Sequence, residues 1–316
     1  MQSGPGRAWF MRVAVVSALI DLVRQGHDLH VLTADLGYNL LDPFACAFPD
    51  RFLNVGVCEG NMIGVASGMA MRGKRVYCYS IAPFSIFRPL DQIRVDLCAP
   101  NLPVTILSAG AGVAYGMEGM THNAIEDLAI ARALPNMTVM VPADPVEADM
   151  LVRATVSIGG PCYLRLAAKN EPVIYPDDIR PVFGKLTCLK KDGDIGIIAN
   201  GIMAAQALVA AEHLRKAGIN CRVYSIHTVK PIDKEAICSI SSSCRCIVSV
   251  EEHSVINGCG SAIAEILLES RFEGNYLKLG IPDRFENIFG TASWLRGRFG
   301  LDAKGIAESI QTMVNK

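Results

Sequence analysis

From Leu29 onward, short β-branched or apolar runs alternate with longer segments of helical period, which restricts the chain to α/β architectures with a mainly parallel sheet. Strands are expected at His30–Thr33, Arg75–Tyr79, Val104–Leu107, Thr138–Val141 and Tyr163–Leu166. The helices between them are expected at Asn61–Arg72, Pro89–Ala99, Asn123–Ala133 and Pro145–Ser157. Around Asn170 to Gly184 the alternation gives way to a polar stretch bearing Pro172, Pro176 and Pro181, which reads as a linker. A second series follows, with strands at Ile195–Ala199, Cys221–Ser225 and Cys246–Val250 and helices near Ile202–Ala217, Asp233–Ile240 and Ser261–Leu268. The expected fold is α/β, two doubly wound domains over residues 1–175 and 176–316, which suits a length of 316 residues. In such folds ligands collect beyond the carboxyl ends of the strands, so residues just after a strand carry most weight.

Composition removes whole classes of function. Thirty Lys and Arg against 31 Asp and Glu, with no basic block, leave nucleic acid without an electrostatic footprint. A chain that is 51% hydrophobic and 19% charged is not globally disordered. No apolar run spans a bilayer, because Trp9 to Val23 is broken by Arg12, Ser17 and Asp21, and Arg12 also spoils a secretory leader. Eleven scattered cysteines, mostly inside apolar segments, point to a reducing cytoplasm, and the one close pair, Cys244 and Cys246, lacks the second pair of a metal site.

Three clusters could carry chemistry. In Val55-Gly-Val-Cys-Glu-Gly-Asn-Met-Ile, Glu59 stands where a strand-like approach meets a helix. It is either a first-turn acid that complements the helix dipole, or a carboxyl walled in by Val57 and Ile63 and desolvated enough to hold or exchange a proton. Next, Phe84, Phe87 and Arg88 follow directly on a strand, where aromatics are core or the wall of a flat heteroaromatic ring. Third is the Gly-rich loop from Gly110 to Asp127. Thr121 resembles an N-cap there, Glu126 and Asp127 load the first turns, and His122 sits at a strand end.

Taken in order, these clusters resemble the pyrimidine-binding and C-terminal domains of the transketolase family of thiamine diphosphate enzymes, over nearly the whole chain. Glu59 lies where the family keeps its cofactor-activating glutamate, and Phe84 to Gln92 where it keeps an aromatic wall and the following helix. Thr121-His122-Asn-Ala-Ile-Glu-Asp resembles its T-H-x-x-I-E-D segment. The G-D-G motif and downstream Asn pair of the diphosphate-binding domain have no counterpart in this sequence. The resemblance is therefore to the C-terminal subunit of a split transketolase, inactive alone, whose N-terminal partner supplies the Mg²⁺ and diphosphate ligands. It implies a homodimer core within an α2β2 assembly.

The implied mechanism has Glu59 hydrogen-bonded to N1′ of the aminopyrimidine, Phe84, Phe87 and Arg88 lining the cofactor, and His122 bonding an oxygen of the donor sugar. Glu118, Lys169 and Arg12 are implied on the substrate side. Ala168 stands where the family's phosphate-binding Arg is expected, and Glu118 replaces the usual Asp. Phosphate recognition is therefore expected to be weakened, since Lys169 offers a point charge without the bidentate fork of Arg. Gly258 and Gly260 resemble the tight strand-to-helix turn of the family's C-terminal domain, and His253 beside it reads as structural or interfacial. Rival readings are the β subunit of a 2-oxo acid dehydrogenase, a 1-deoxyxylulose-phosphate synthase, which normally carries all domains in one chain, and a non-catalytic subunit of the same fold.

Overall fold

The computed structural model describes residues 10–168, 171–176, 178–285 and 287–315. Strands β1 (Leu29–Thr33), β2 (Phe52–Asn54), β3 (Arg75–Ile81), β4 (Val104–Ala109), β5 (Thr138–Met140) and β6 (Cys162–Leu166) lie in the first half. The second half holds β7 (Thr187–Lys190), β8 (Ile195–Asn200), β9 (Cys221–Ile226), β10 (Thr228–Lys230), β11 (Cys246–Ser254) and β12 (Asn275–Ile281). They form two sheets, ordered β10-β5-β6-β4-β3-β1-β2 and β12-β11-β8-β9-β7. All neighbours are parallel except β10 with β5 and β7 with β9. The fold is thus the expected pair of α/β units, with one addition: β10, from after the linker, extends the first sheet.

Central strands read as continuous apolar runs because helices cover both faces; every residue of Val104–Ala109 is buried. The N-terminal apolar segment forms the helix Met11–Arg24, which buries Met11, Ala14, Val15, Ala18, Leu19 and Leu22 at helical spacing against the first sheet. Among the described residues no helix is long and apolar enough to cross a membrane.

Two expectations in the Gly-rich segment are corrected. The helix there is Asp127–Ala133, shorter than expected, because Ala124 exchanges both backbone hydrogen bonds with Gly112 and so cannot be helical. Thr121 is consequently no N-cap: it lies in a 3₁₀ turn, Gly119–Thr121, where its hydroxyl donates to Glu118 O.

Two acids tie the units together. Asp144 caps the helix Pro145–Ala154 by accepting from Glu147 N–H at 2.9 Å, and its other oxygen accepts from Ile174 N–H in the connecting segment. Glu147 is fully buried and accepts from Ala143 N–H, from the Tyr175 hydroxyl and from the Ser225 hydroxyl on β9. Burial pushes its carboxyl up to about 7. Glu251, buried under Cys259 and Gly260, is pushed up to about 7 in the same way.

For both acids the folded value lies above the unfolded one. Their stabilisation is therefore complete below about pH 4.5 and is lost as pH rises through about 7. Glu147→Gln, which keeps the shape without the charge, should flatten this slope by about 3 kcal/mol between those limits. Urea unfolding midpoints from pH 5 to about 8 test this; a slope unchanged from wild type would refute it.

Candidate active site

Glu59, Phe84 and His122 each follow the carboxyl end of a strand, β2, β3 and β4 respectively, where a doubly wound sheet presents its ligand crevice. Glu59 is the first residue of the helix Glu59–Met71, and its carboxylate is only 3% exposed. Ile63, one turn on, is buried, but Val57 is 72% exposed and forms no wall in this chain.

Arg88 Nη1 donates to both carboxylate oxygens of Glu59, at 3.1 and 3.0 Å. The same guanidinium lies 3.9 Å from the centre of the Phe84 ring, a cation–π stack. The His122 ring meets Phe84 edge-on at 5.1 Å, and Tyr115 meets His122 at 6.3 Å. The Thr121 hydroxyl pairs with His122 Nδ1 at 2.9 Å. Glu59, Arg88, Phe84 and His122 are thus brought together, joined by Tyr115, which sequence reasoning missed. Phe87 instead packs against Ala82, Ala111 and Ala124.

The other expected residues lie apart. Glu118 lines a cleft of about 540 Å³ between the two units, together with Tyr115, Ala168, Glu171 and Arg296. Arg12 approaches the cleft from the N-terminal helix: its Nη1 donates to the Tyr79 hydroxyl at 3.5 Å, and it lies within electrostatic reach of Tyr115 and Glu171. Tyr115 is the residue common to cleft and aromatic cluster. Lys169 lies outside the described residues.

Behind the loop lies a buried polar network that the sequence reading also missed. Arg165 on β6 binds Asp127 through Nε at 2.7 Å and Nη2 at 3.1 Å, and the Tyr163 hydroxyl donates to the same carboxylate. Arg165 Nη2 further donates to Ala124 O and Glu252 O. A lone Arg inside the buried strand Cys162–Leu166 was the available signal, since a charge there requires a partner. His253 is buried beside the network; it accepts from Ala129 N–H on Nε2 and donates from Nδ1 to Ser254 O. Burial lowers it to about 4, which favours the neutral ring. Gly258 is fixed by close approach, because a Cβ there would lie 2.1 Å from Glu251 Oε2.

The family description "Transketolase, pyrimidine binding domain" matches residues 8–172, and "Transketolase, C-terminal domain" matches residues 184–306. The chain is 32% identical to one of the subunits of the apulose-4-phosphate transketolase of Actinobacillus succinogenes, over 93% of this chain and 95% of that one. It is 33% identical to the SqwH subunit of the 6-deoxy-6-sulfo-D-fructose transketolase of Clostridium sp. (strain MSTE9), over 97% and 95% of the two chains. A solved structure described as a split gene transketolase, inactive beta4 tetramer, superposes with a TM-score of 0.88 at 38% identity, covering 96% of this chain and 98% of that one. With the two family descriptions following one another over most of its length, the chain belongs to the transketolase family.

Proposed function

We propose that this chain is the pyrimidine-binding subunit of a split transketolase, moving a two-carbon ketol unit from a ketose to an aldose in complex with a second subunit. Membership of the family implies thiamine diphosphate as cofactor. The observation that carries the reading is the Glu59, Arg88 and Phe84 arrangement. A planar N–H donor, the Arg88 guanidinium, already sits on an aromatic face and against a buried carboxylate. These residues fit a flat nitrogen heterocycle, which would offer its π-face to Phe84 and a ring nitrogen to the Glu59 carboxyl. Mg²⁺ and the diphosphate belong on the partner subunit, since the G-D-G motif has no counterpart in this sequence.

Bound thiamine diphosphate supplies a nucleophilic carbon and an electron sink for the two-carbon fragment. In this reading Glu59 holds a proton at its carboxyl oxygen towards N1′ of the aminopyrimidine, in a site that excludes water from that exchange. Phe84 and Arg88 line the ring, and Phe87 packs against the small residues Ala82, Ala111 and Ala124 beside them. His122, oriented by Thr121 and flanked by two rings, hydrogen-bonds a hydroxyl or carbonyl oxygen of the donor sugar. Glu118, Arg12 and Lys169 are assigned to the substrate path. Ala168 lines the cleft there, while Arg12 is engaged by Tyr79 and Arg296 by Glu252, which supports weak phosphate recognition.

Co-expression with an N-terminal transketolase subunit bearing the G-D-G motif, followed by a two-carbon transfer assay with thiamine diphosphate and Mg²⁺, tests this reading. Activity is expected only in the complex, with kcat/KM values for phosphorylated and unphosphorylated forms of one acceptor within about tenfold, or roughly 1.4 kcal/mol. Turnover by the isolated chain would refute the split assignment, and a preference for the phosphate of about 10³-fold would refute weak phosphate recognition.

A further inference from the structure

We infer that Glu252 and Arg296, both in the C-terminal unit, are positioning residues for the loop that carries Tyr115 and His122. The inference rests on the ketol-transfer reading for its link to turnover, and on geometry for the rest.

The loop runs from Gly112 to Ala124, which close it by exchanging two backbone hydrogen bonds at 2.8 and 3.0 Å. It belongs to the first unit, yet the C-terminal unit grips it along its length. At its entry Val113 N–H donates to Glu252 Oε1 at 2.9 Å. At its apex Gly290 N–H donates to Gly116 O at 3.2 Å, with Leu295 packed so tightly that a Cβ at Gly116 would lie 2.3 Å from it. Beyond its exit Ser254 N–H donates to Ile125 O at 2.7 Å.

Glu252 is the polar hub of these contacts. It is 3% exposed, and Arg296 engages both of its oxygens, through Nε at 3.1 Å and Nη2 at 3.4 Å. Its main-chain oxygen accepts from Arg165, which also holds Ala124 O at the loop exit. Gly112 sits at φ +67°, and a Cβ there would lie 2.8 Å from the Glu252 side chain. The loop backbone is therefore shaped to accept this carboxylate at contact distance. A buried carboxylate with both oxygens committed is a stiff support.

Among the described residues Glu59 bonds Arg88 on another element, and Phe84 meets the loop only at the edge of the His122 ring, so loss of the clamp should displace His122 while leaving the Glu59–Arg88 pair in place. In the complex with the partner subunit, Glu252→Ala should lower kcat by about 10²-fold, the scale of a roughly 1 Å misplacement, with KM for thiamine diphosphate unchanged. Glu252→Gln keeps an acceptor for Val113 N–H and should restore most of kcat. On the full chain alone, hydrogen exchange over residues 112–125 should quicken about tenfold in Glu252→Ala while β12 and its neighbouring helices keep wild-type protection.

An unchanged kcat in Glu252→Ala, a Gln variant no better than Ala, or exchange that quickens across the whole second sheet would each overturn the inference. A wild-type complex without ketol transfer would overturn the functional reading instead. The exchange measurement would then still decide whether Glu252 holds the loop.

Discussion

Glu59→Gln in the reconstituted enzyme should remove two-carbon transfer by about 10²–10⁴-fold, the range set by losing a positioned proton donor and acceptor. Gln preserves length and can still accept from Arg88, so packing at the head of the helix Glu59–Met71 is retained. What it lacks is a proton that can be held and returned at an oxygen. The ion pair removed contributes little to folding, because Arg88 is half exposed and solvent screens it. Complex formation by size-exclusion chromatography should therefore match wild type while initial rates collapse. A wild-type rate in this variant would eliminate Glu59 as the proton-exchanging group, and a failure to assemble would make it a folding residue.

The second large effect is expected at Asp127, and it concerns stability. Asp127 and Arg165 are both buried, and Asp127 is the only carboxylate among the described residues that bonds Arg165 through its side chain. Asp127→Ala leaves the guanidinium without its counter-charge and should cost about 3–5 kcal/mol. Replacing both members, as Asp127→Leu with Arg165→Met, removes the orphaned charge and should recover part of the loss. Recovery is incomplete because Ala124 O, Glu252 O and the Tyr163 hydroxyl lose their partners. Urea midpoints of the two variants decide the matter: a single variant within about 1 kcal/mol of wild type would mean that the pair is not holding this junction.

How much of this was legible in sequence follows from how local each signal is. β3, β4 and β6 are interior parallel strands whose apolar runs need no partner to be recognised. β10 is three residues of Thr-Val-Lys, and only its antiparallel pairing with β5, far away in the chain, makes it a strand. The segment after Gly119 carries the local marks of a helix start, yet the Gly112–Ala124 pairing overrides them. Tertiary hydrogen bonds decided that boundary.

The site divides along the same line. Glu59, Phe84, Arg88 and His122 follow strand ends, so topology delivers them to one crevice once the order of elements is read correctly. Tyr115 was hidden in a loop whose path depends on Glu252, more than a hundred residues later. Arg12 and Glu118 were legible as candidates but not as neighbours of a separate cleft, since that cleft exists only where the two units meet.

The strand β10 has a further consequence. A chain cut after the connecting segment would leave β5 as a raw margin of the first sheet, with unpaired N–H and C=O groups open to recruitment by other molecules. The two halves of this polypeptide therefore cannot be parted as freely as their two family descriptions suggest. A break within this chain would sever a seam that both halves share.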